Sequence, residues 1–280
     1  MAHFSSVEKK RIFEKIAKDI KEVKIQGARN IAKKAIYAYS LIPNPDSKRK
    51  LISIRPTEPM LVNILNKLEK KPYSQILNHF EEAQEKINKD VFKIIKNKDV
   101  IFTHCHSTNV VNALIYAKKN GKKFEVYNTE TRPLFQGRKT SKELAKAGIK
   151  VTQFIDSALA TAIEKDNTKD KFYSNKVFLG ADALLKEGVI NKVGSKTIAE
   201  ISYLHKIPVY IIADSWKFTN KKVPIEQRSL NEVWDKSPKN IKIKNPAFEF
   251  VPKKYITKII SELEVLSYGE FLNKISIYSS

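Results

Sequence analysis

Cysteine is nearly absent from this sequence, which has a single one, Cys105, among its 280 residues. One cysteine excludes an intramolecular disulfide framework and any metal site made of cysteines alone. The sequence also lacks an uninterrupted apolar stretch close to the roughly 18 residues that a membrane span needs. Residues 1–20 are charged and have no apolar segment of the kind found in signal peptides. We therefore expect a cytoplasmic protein with no membrane partner.

Glycine is scarce as well, with 8 residues. A dinucleotide-binding loop needs G-x-G-x-x-G directly after the first strand of its domain. The first predicted strand ends instead in Cys105-His106-Ser107-Thr108-Asn109, and the chain has no Walker A motif. Among the histidines, His104 and His106 stand close together, but no further metal ligand follows them at a recognisable spacing. We expect neither a metal ion nor an organic cofactor.

Arginine is the rarer basic residue, although the formal net charge is +22. Lysines are scattered through the predicted helices, and no helix-turn-helix, zinc finger or aromatic RNA-binding motif accompanies them. The charge is therefore typical of a solvated surface, and we expect no nucleic-acid partner. Four arginines stand beside loops marked by glycine or proline: Arg29, Arg55, Arg132 and Arg138. A guanidinium group at such a loop suits bidentate capture of phosphate, which predicts a small phosphorylated ligand.

Apolar periodicity divides the chain into two parts. Up to residue 98 the spacing is helical, with a capping-box pattern at Ser5-Ser6-Val7-Glu8 and a second helix predicted at 27–40. Two more helices are predicted from the apolar stripes at 61–68 and 76–91. From residue 99 onward, short apolar runs alternate with helices. The predicted strands are 100–103, 124–127, 151–155, 176–179 and 209–213.

This alternation predicts the fold class. Parallel strands need crossover connections, and helices usually supply them. We therefore expect an α/β protein with an N-terminal helical domain at 1–98. A Rossmann-like domain with a doubly wound, mostly parallel sheet should follow at 99–280.

Two predicted strands end in loops with chemically useful side chains. Cys105 follows the strand at 100–103, and Asp182 follows the strand at 176–179. Open α/β sheets place ligands at such strand ends, and a thiol and a carboxyl group that converge there can act as general base and general acid. The alternative for Cys105 is a small buried apolar side chain, because free cysteine is among the most buried residue types.

Six motifs follow one another along the chain: Thr103-His104-Cys105-His106-Ser107, Thr129-Glu130-Thr131-Arg132-Pro133 with Gln136-Gly137, residues 151–157, Gly180-Ala181-Asp182, Asn191-Lys192-Val193-Gly194 and Ala213-Asp214-Ser215-Trp216-Lys217-Phe218. Together they resemble the superfamily that joins the alpha, beta and delta subunits of translation initiation factor 2B to two sugar-phosphate isomerases. The resemblance covers nearly the whole chain. It implies a helical domain followed by a Rossmann-like domain, in agreement with the periodicity.

Within this superfamily the chain is most similar to the archaeal ribose-1,5-bisphosphate isomerases. The resemblance implies conversion of α-D-ribose 1,5-bisphosphate to ribulose 1,5-bisphosphate by Cys105 and Asp182. Because this sugar has no free aldehyde, one group must protonate the ring oxygen while the other removes the C2 proton. That chemistry needs a protonated acid and a thiolate base together. We expect burial to raise the pKa of Asp182 and nearby cations to lower the pKa of Cys105.

Two alternatives stand beside this assignment. Regulatory initiation-factor subunits bind a sugar phosphate or nucleotide without turnover, and they generally lack the cysteine and aspartate pair. Methylthioribose-1-phosphate isomerases share the pair, but arginine usually follows their aspartate and their cysteine loop is richer in small residues. Ala183 after Asp182 and His106-Ser107 after Cys105 favour the bisphosphate branch.

The resemblance also implies a set of substrate-binding residues: Gly27, Ala28, Arg29, Arg55, Ser107, Thr108, Asn109, Arg132, Asn191, Lys192 and Lys217. One loop departs from the branch, because Gln26-Gly27-Ala28-Arg29 stands where Arg-Gly-Ala-Gly is expected. Arg29 would then supply the missing charge from a shifted position. Arg55 has an alternative as a bridge between domains, and Asn191 as a helix cap. Glu130 is expected to orient Arg132 or a loop.

Self-association is the last expectation. The superfamily forms dimers through its α/β domain, and the apolar run at 256–272 offers more apolar surface than a closing helix needs. We expect a homodimer or a higher homo-oligomer, with a hexamer as one form. The other expected partner is the phosphorylated sugar substrate.

Overall fold

Five helices form the first part of the chain. The computed structural model describes residues 4–164 and 173–279. The N-terminal helices are α1 (Ser6–Lys21), α2 (Ala28–Leu41), α3 (Pro45–Ile54), α4 (Pro59–Lys67) and α5 (Tyr73–Ile94). The four predicted helices are confirmed, and Ser5 forms the predicted capping box with Glu8.

Helix α3 lies outside the sequence prediction, which places only a stop at Pro43 and Pro45. Proline at the first helical position loses no hydrogen bond, because the first N–H groups of a helix have no partner within it. Asn44 caps α3 by accepting a hydrogen bond from the Ser47 N–H at 2.8 Å. Asn44-Pro45 is therefore a start signal as well as a stop signal.

Strands and helices alternate in the second part. Its elements are β1 (Val100–Thr103), α6 (Thr108–Lys119), β2 (Glu125–Thr129), α7 (Gln136–Lys146), β3 (Lys150–Phe154), α8 (Leu159–Ile163), β4 (Lys176–Leu179), β5 (Ala183–Leu184), β6 (Gly188–Lys192), α9 (Ser195–Leu204), β7 (Val209–Ile212), β8 (Phe248–Pro252), β9 (Lys258–Ser261), β10 (Glu264–Leu266) and α10 (Tyr268–Ser279). Each predicted strand is confirmed, with small differences at its ends. As far as the structure describes the chain, none of its helices has the length and apolarity to cross a membrane.

The main sheet has seven strands in the order β10-β9-β7-β4-β1-β2-β3. All neighbours are parallel except β10, which is antiparallel to β9. The winding starts at β1 and reverses direction between β1 and β4, so the sheet is doubly wound. This confirms the predicted α/β fold class. The carboxyl ends of β1 and β4 border the crevice where such sheets usually bind ligands.

A second, antiparallel sheet contains β5, β6 and β8. It lies outside the sequence prediction, because β5 has only two residues and β6 begins at a glycine, so that neither shows a periodic pattern. The backbone N–H of Asp182 donates to the carbonyl oxygen of Ile190 at 2.8 Å. The second sheet therefore places β6 beside the Asp182 loop.

The core of the second part covers both faces of the main sheet. Phe102 on β1 and Phe178 on β4 are fully buried. Ile87 and Val91 in the C-terminal half of α5 pack into the cluster that contains Phe178. Because α5 joins the helical part to the sheet in this way, the division into domains between residues 98 and 99 stays a prediction.

The apolar C-terminal run belongs to this core, which corrects one argument for self-association. Ile259 and Ile260 lie on β9 and Phe271 lies on α10, and all three are fully buried. The run forms a pair of strands and a helix instead of one closing helix. Part of the apolar surface expected for an interface is therefore core, whereas Leu263, Val265, Leu266 and Leu272 pack against the core and stay partly exposed.

Candidate active site

A pocket lies at the winding reversal between β1 and β4 and extends to the N-terminal helices. Its wall contains both residues predicted to be catalytic and most of those predicted to bind substrate: Cys105, Asp182, Gly27, Ala28, Arg29, Arg55, Ser107, Thr108, Asn109, Asn191, Lys192 and Lys217. Of the predicted set, only Arg132 is absent from the wall. The pocket stands where the topology of the sheet predicts a ligand site.

Cys105 lies on a sharp turn just after β1. Its backbone is in the left-handed region, with a φ of 65°, which is uncommon for a residue with a side chain. The Cys105 N–H donates to the Thr131 hydroxyl at 3.0 Å, and the Thr140 hydroxyl donates to the Cys105 carbonyl oxygen at 2.8 Å. Strained backbone held by such bonds is concentrated at functional sites.

The thiol of Cys105 is harder to ionise than its cationic surroundings predict. Burial raises the pKa of Cys105 to about 11, although Lys192 and the His106 N–H act to lower it. Lys192 acts as expected of a nearby cation, but the expected net lowering of this pKa is wrong, because the loss of water outweighs the favourable charge. At neutral pH Cys105 is a thiol.

Asp182 stands in the loop between β4 and β5. Burial raises its pKa, and Lys217, Lys192 and Arg55 oppose this rise. The predicted direction is confirmed, and it favours a protonated carboxyl group. The charge of Asp182 in turn raises the pKa of Cys105, so the two groups are near enough to interact electrostatically.

Close packing joins the Asp182 loop to the start of α6. A Cβ at Gly180 would lie 2.7 Å from the Cβ and Oγ of Ser107. Ser107 precedes α6 and makes no side-chain capping bond, and Gly27 precedes α2 with no side chain to make one. Both helix N-termini lie on the pocket wall, where their N–H groups suit an anionic ligand.

Three predicted substrate-binding residues come from the second sheet and the turn after β7. Lys217 is 7 % exposed and donates to the Ala181 carbonyl oxygen at 2.6 Å. Asn191 is buried on β6. The ammonium group of Lys192 lies 4.8 Å from the centroid of the Phe248 ring, within the range of a cation–π contact.

Arg55 is 6 % exposed on the pocket wall. Its Nη2 lies 3.3 Å from Oε1 of Glu58 and 3.1 Å from Oε2 of Glu226, which belongs to the loop between β7 and β8. Its Nε and Nη1 have no hydrogen-bond partner among the residues that the structure describes. Arg55 therefore bridges the two parts of the chain, and two of its nitrogens are buried donors that no described residue satisfies.

Two predicted arginines are engaged elsewhere. Nη2 of Arg29 lies 2.6 Å from Oε1 of Glu81 on α5, so its charge is already paired although the residue borders the pocket. Arg132 is exposed, and its guanidinium group lies 5.1 Å from the centroid of the Phe135 ring. The structure does not bring Arg132 into the pocket.

The loop that carries Arg132 is held by an acid other than the expected one. Glu130 accepts a hydrogen bond from Arg138 at 2.7 Å, so the expectation that it orients Arg132 is wrong, and the alternative that it orients a loop stays a prediction. Asp156 instead accepts the backbone N–H of Thr131 at 2.8 Å and that of Arg132 at 2.6 Å.

Several wall residues lie outside the sequence prediction: Glu58, His104, His106, Gln136, Lys139 and Arg228. Glu58 and Gln136 each have a buried side-chain oxygen with no partner in the described part of the chain. The sequence contains a signal for Gln136, because Gln136-Gly137 belongs to the second of the six motifs. In the structure, a Cβ at Gly137 would lie 1.8 Å from the Thr129 carbonyl oxygen. The sequence contains no such signal for Glu58, since an acid beside a phosphate-binding arginine opposes the expected charge pattern.

The histidine of the Cys105 motif is already bonded on both sides. Nδ1 of His104 lies 2.5 Å from the Thr129 hydroxyl, and Nε2 lies 2.8 Å from the Val193 carbonyl oxygen. Nε2 must donate to the carbonyl, so Nδ1 accepts from the hydroxyl. Burial lowers the pKa of His104, which keeps the ring neutral. His104 therefore fixes the strand end and has no free nitrogen for a metal.

A second cluster has the residue types of a metal site. One ligand atom from each of His79, Asp214 and Glu262 lies within 4.8 Å of the others. Each residue already has a protein partner: Nε2 of His79 lies 3.1 Å from Oδ2 of Asp214, and Glu262 accepts the Ser215 N–H at 3.0 Å. Through these hydrogen bonds the cluster links α5 to the ends of β7 and β9, which is a structural role that needs no metal ion.

The family model of the initiation factor 2 subunit family matches residues 46–267, so the chain belongs to this family. Ribose 1,5-bisphosphate isomerase of Thermococcus kodakarensis is 33% identical over 90% of this chain and 89% of its own. Methylthioribose-1-phosphate isomerase of Fervidobacterium nodosum is 29% identical over 90% and 81%. The crystal structure of a Pyrococcus horikoshii translation initiation factor eIF-2B has a TM-score of 0.78 and 26% identity over 92% and 97%. The predicted resemblance is confirmed, and these isomerase relatives confirm an enzyme of the isomerase class.

Proposed function

We propose that this protein is a ribose-1,5-bisphosphate isomerase, which converts α-D-ribose 1,5-bisphosphate to ribulose 1,5-bisphosphate. The observation that carries the proposal is the meeting of Cys105 and Asp182 in one pocket with a cationic wall. The cationic side chains on that wall are Arg29, Arg55, Lys139, Lys192, Lys217 and Arg228, and its carboxyl groups are those of Glu58 and Asp182. The three arginines also pair with acids outside the wall, whereas Lys192 and Lys217 form no ion pair among the described residues. These cations suit a ligand with phosphate groups.

Asp182 is the proposed general acid. Its raised pKa favours the protonated form, which is the form that can donate. The carboxyl proton passes to the ring oxygen of the sugar, and the bond between this oxygen and C1 breaks. The sugar then has an open chain and keeps its C1 phosphate.

Cys105 is the proposed general base. Its thiol first releases a proton to solvent, and Lys192 together with the N-terminus of α6 stabilises the thiolate. The thiolate takes the C2 proton while the C2–H electron pair forms a double bond to C1. Cys105 then returns a proton to C1, and Asp182 takes the proton of the C2 hydroxyl. These transfers form the ketose and restore both residues.

Substrate binding is assigned to the remaining predicted residues. The free nitrogens of Arg55 and the N-terminus of α6 at Ser107, Thr108 and Asn109 hold phosphate, as do Lys217 and the loop of Gly27, Ala28 and Arg29. Asn191 and Lys192 contact the sugar. Arg132 keeps its proposed role because an exposed side chain changes rotamer within nanoseconds and can turn toward a bound phosphate.

The test is turnover of two substrates. The protein is incubated with ribose 1,5-bisphosphate and, separately, with methylthioribose 1-phosphate, and the products are followed by 31P NMR. We expect ribulose 1,5-bisphosphate from the first and no ketose from the second. Turnover of the methylthio sugar alone would move the chain to the other isomerase branch. Binding of a sugar phosphate without turnover would instead support a regulatory subunit.

Self-association and location are proposed with this function. We propose a cytoplasmic homodimer or higher homo-oligomer, in line with the superfamily. Light scattering at micromolar concentration should show at least a dimer. A strict monomer under those conditions contradicts this part of the proposal.

A further inference from the structure

Glu58 is a buried carboxyl group beside the residues proposed to act on the substrate. It stands directly before α4, three residues after Arg55, and is 2 % exposed. Its Oε1 lies 3.3 Å from Nη2 of Arg55, whereas its Oε2 has no hydrogen-bond partner within the described residues. A buried carboxylate oxygen without a donor is costly, so the surroundings favour the neutral group.

The charges around Glu58 act in both directions. Asp182 lines the same pocket, and Glu226 lies 3.1 Å from the Nη2 of Arg55 that Glu58 also contacts. The cations that face Glu58 are Arg55 and Lys217. Burial raises the pKa of Glu58 to about 8, and Asp182 adds to the rise when it is ionised, whereas the two cations oppose it. Glu58 is therefore neutral at neutral pH and ionises in mildly alkaline solution.

The state of Glu58 decides how much positive charge Arg55 can offer. When Glu58 is neutral, Arg55 pairs, among the described residues, only with Glu226, which it shares with Arg228, and the Lys217 charge remains for a ligand. When Glu58 is ionised, Arg55 has a second carboxylate partner, and a negative charge stands beside the proposed phosphate position. The negative charges of a carboxylate and a phosphate beside the same buried cation repel each other, and this repulsion opposes binding.

We propose that Glu58 is a positioning residue that supports Arg55 as a neutral carboxyl group, and that ionised Glu58 opposes binding of the phosphorylated ligand. The inference rests on the proposed function, because it assigns a role to Glu58 in the same site.

The experiment is a calorimetric titration with ribulose 1,5-bisphosphate, the product of the proposed reaction, from about pH 6.5 to about pH 9.5. The wild type is compared with Glu58→Gln and with Glu69→Gln, a control whose acid pairs with Lys48 in the helical part. At one pH unit above its pKa about one tenth of Glu58 is protonated, so Glu58 ionisation alone weakens binding about tenfold. We expect Glu58→Gln to bind about as tightly as the wild type near pH 6.5 and about tenfold more tightly near pH 9. Glu69→Gln should follow the wild type.

The outcomes separate the two proposals. Parallel pH profiles for the wild type and Glu58→Gln contradict the role of Glu58 and leave the proposed function intact. A wild type that binds no sugar bisphosphate at any pH contradicts the proposed function and the inference with it. If Glu58→Gln does not fold, Glu58→Ala serves in its place, since it also removes the ionisable group and must show the same loss of pH dependence.

Discussion

The buried ammonium group of Lys217 donates a hydrogen bond to the main-chain oxygen of Ala181 at 2.6 Å. Ala181 directly precedes Asp182, so this bond ties the turn after β7 to the loop that carries the proposed acid. Burial raises the pKa of Asp182, and Lys217 is the strongest of the cations that oppose the rise. Lys217 therefore positions Asp182 and also limits how far the pKa of Asp182 rises.

Replacing this lysine gives the first prediction. Lys217→Met leaves a buried carbonyl oxygen without a donor, which should lower the free energy of unfolding by about 1–3 kcal/mol. It should also raise the pKa of Asp182 further, so the limb of the kcat/KM profile that reports Asp182 should move to higher pH. The exposed Lys221 provides the control variant Lys221→Met, which should change neither quantity. A kcat/KM profile with both limbs at the wild-type pH in Lys217→Met contradicts this role.

The second prediction concerns the contact between Gly180 and Ser107. Gly180→Ala places a Cβ within 2.7 Å of the Ser107 side chain, so the Asp182 loop and the start of α6 must move apart. Overpacking of this kind costs about 1–3 kcal/mol, and kcat/KM should fall because the proposed acid and base separate. Gly269→Ala is the control, since nothing lies within 4 Å of its added Cβ. Equal melting temperatures and activities for the two variants would show that the contact has no role.

The sequence predicts the strand-end loops well because two local signals coincide there. Val100–Thr103 and Lys176–Leu179 are short apolar runs that end in polar residues, and the order of the elements then fixes which ends meet. Fold class and the pairing of Cys105 with Asp182 in one pocket follow from these signals. The second sheet does not, because the pairing of β5 with β6 and β8 depends on contacts distant in sequence.

Charge environments in the pocket are less predictable than its location. The pKa of Cys105 depends on how much water the folded chain removes, which no sequence motif reports. Arg29 is likewise placed near the pocket by its motif, but its partner Glu81 is 52 residues away and is known only from the structure. Glu58 escapes prediction for the same reason, since its burial arises from packing between the two parts of the chain.

The third prediction uses Cys105 as the single thiol of the protein. The rate of its alkylation by iodoacetamide should rise with pH well beyond neutrality, because burial raises the pKa of Cys105 to about 11. Lys192→Met should move this profile to still higher pH, since Lys192 opposes the rise. The exposed Lys196 supplies the control variant Lys196→Met, which should titrate as the wild type does. A thiol that is already fully reactive at about pH 7 is the contrary result.

The fourth prediction is a pH-dependent change in stability. In the unfolded chain Glu58 ionises near its ordinary pKa of 4.5, whereas the folded chain keeps the proton up to about pH 8. The folded state binds more protons between these pH values, so the stability of the wild type falls as pH rises across that window. The melting temperature of Glu58→Gln relative to the wild type should increase from about pH 5 to about pH 8 and then stay constant. A difference that is the same at every pH contradicts the raised pKa.

Cys105 and Asp182 are proposed to carry out the proton transfers of an isomerisation. Cys105→Ser keeps the shape of the side chain but replaces the thiol by a much weaker acid, and Asp182→Asn removes the acidic proton. Both variants should bind ribulose 1,5-bisphosphate within about tenfold of the wild type, because neither change removes a phosphate contact.

The most direct measurement is therefore the rate at which the wild type, Cys105→Ser and Asp182→Asn form ribulose 1,5-bisphosphate from ribose 1,5-bisphosphate labelled with deuterium at C2. We expect steady ketose formation by the wild type, slowed by the deuterium, and no measurable ketose from either variant. Ketose formation near the wild-type rate by Cys105→Ser or Asp182→Asn would contradict the proposed mechanism.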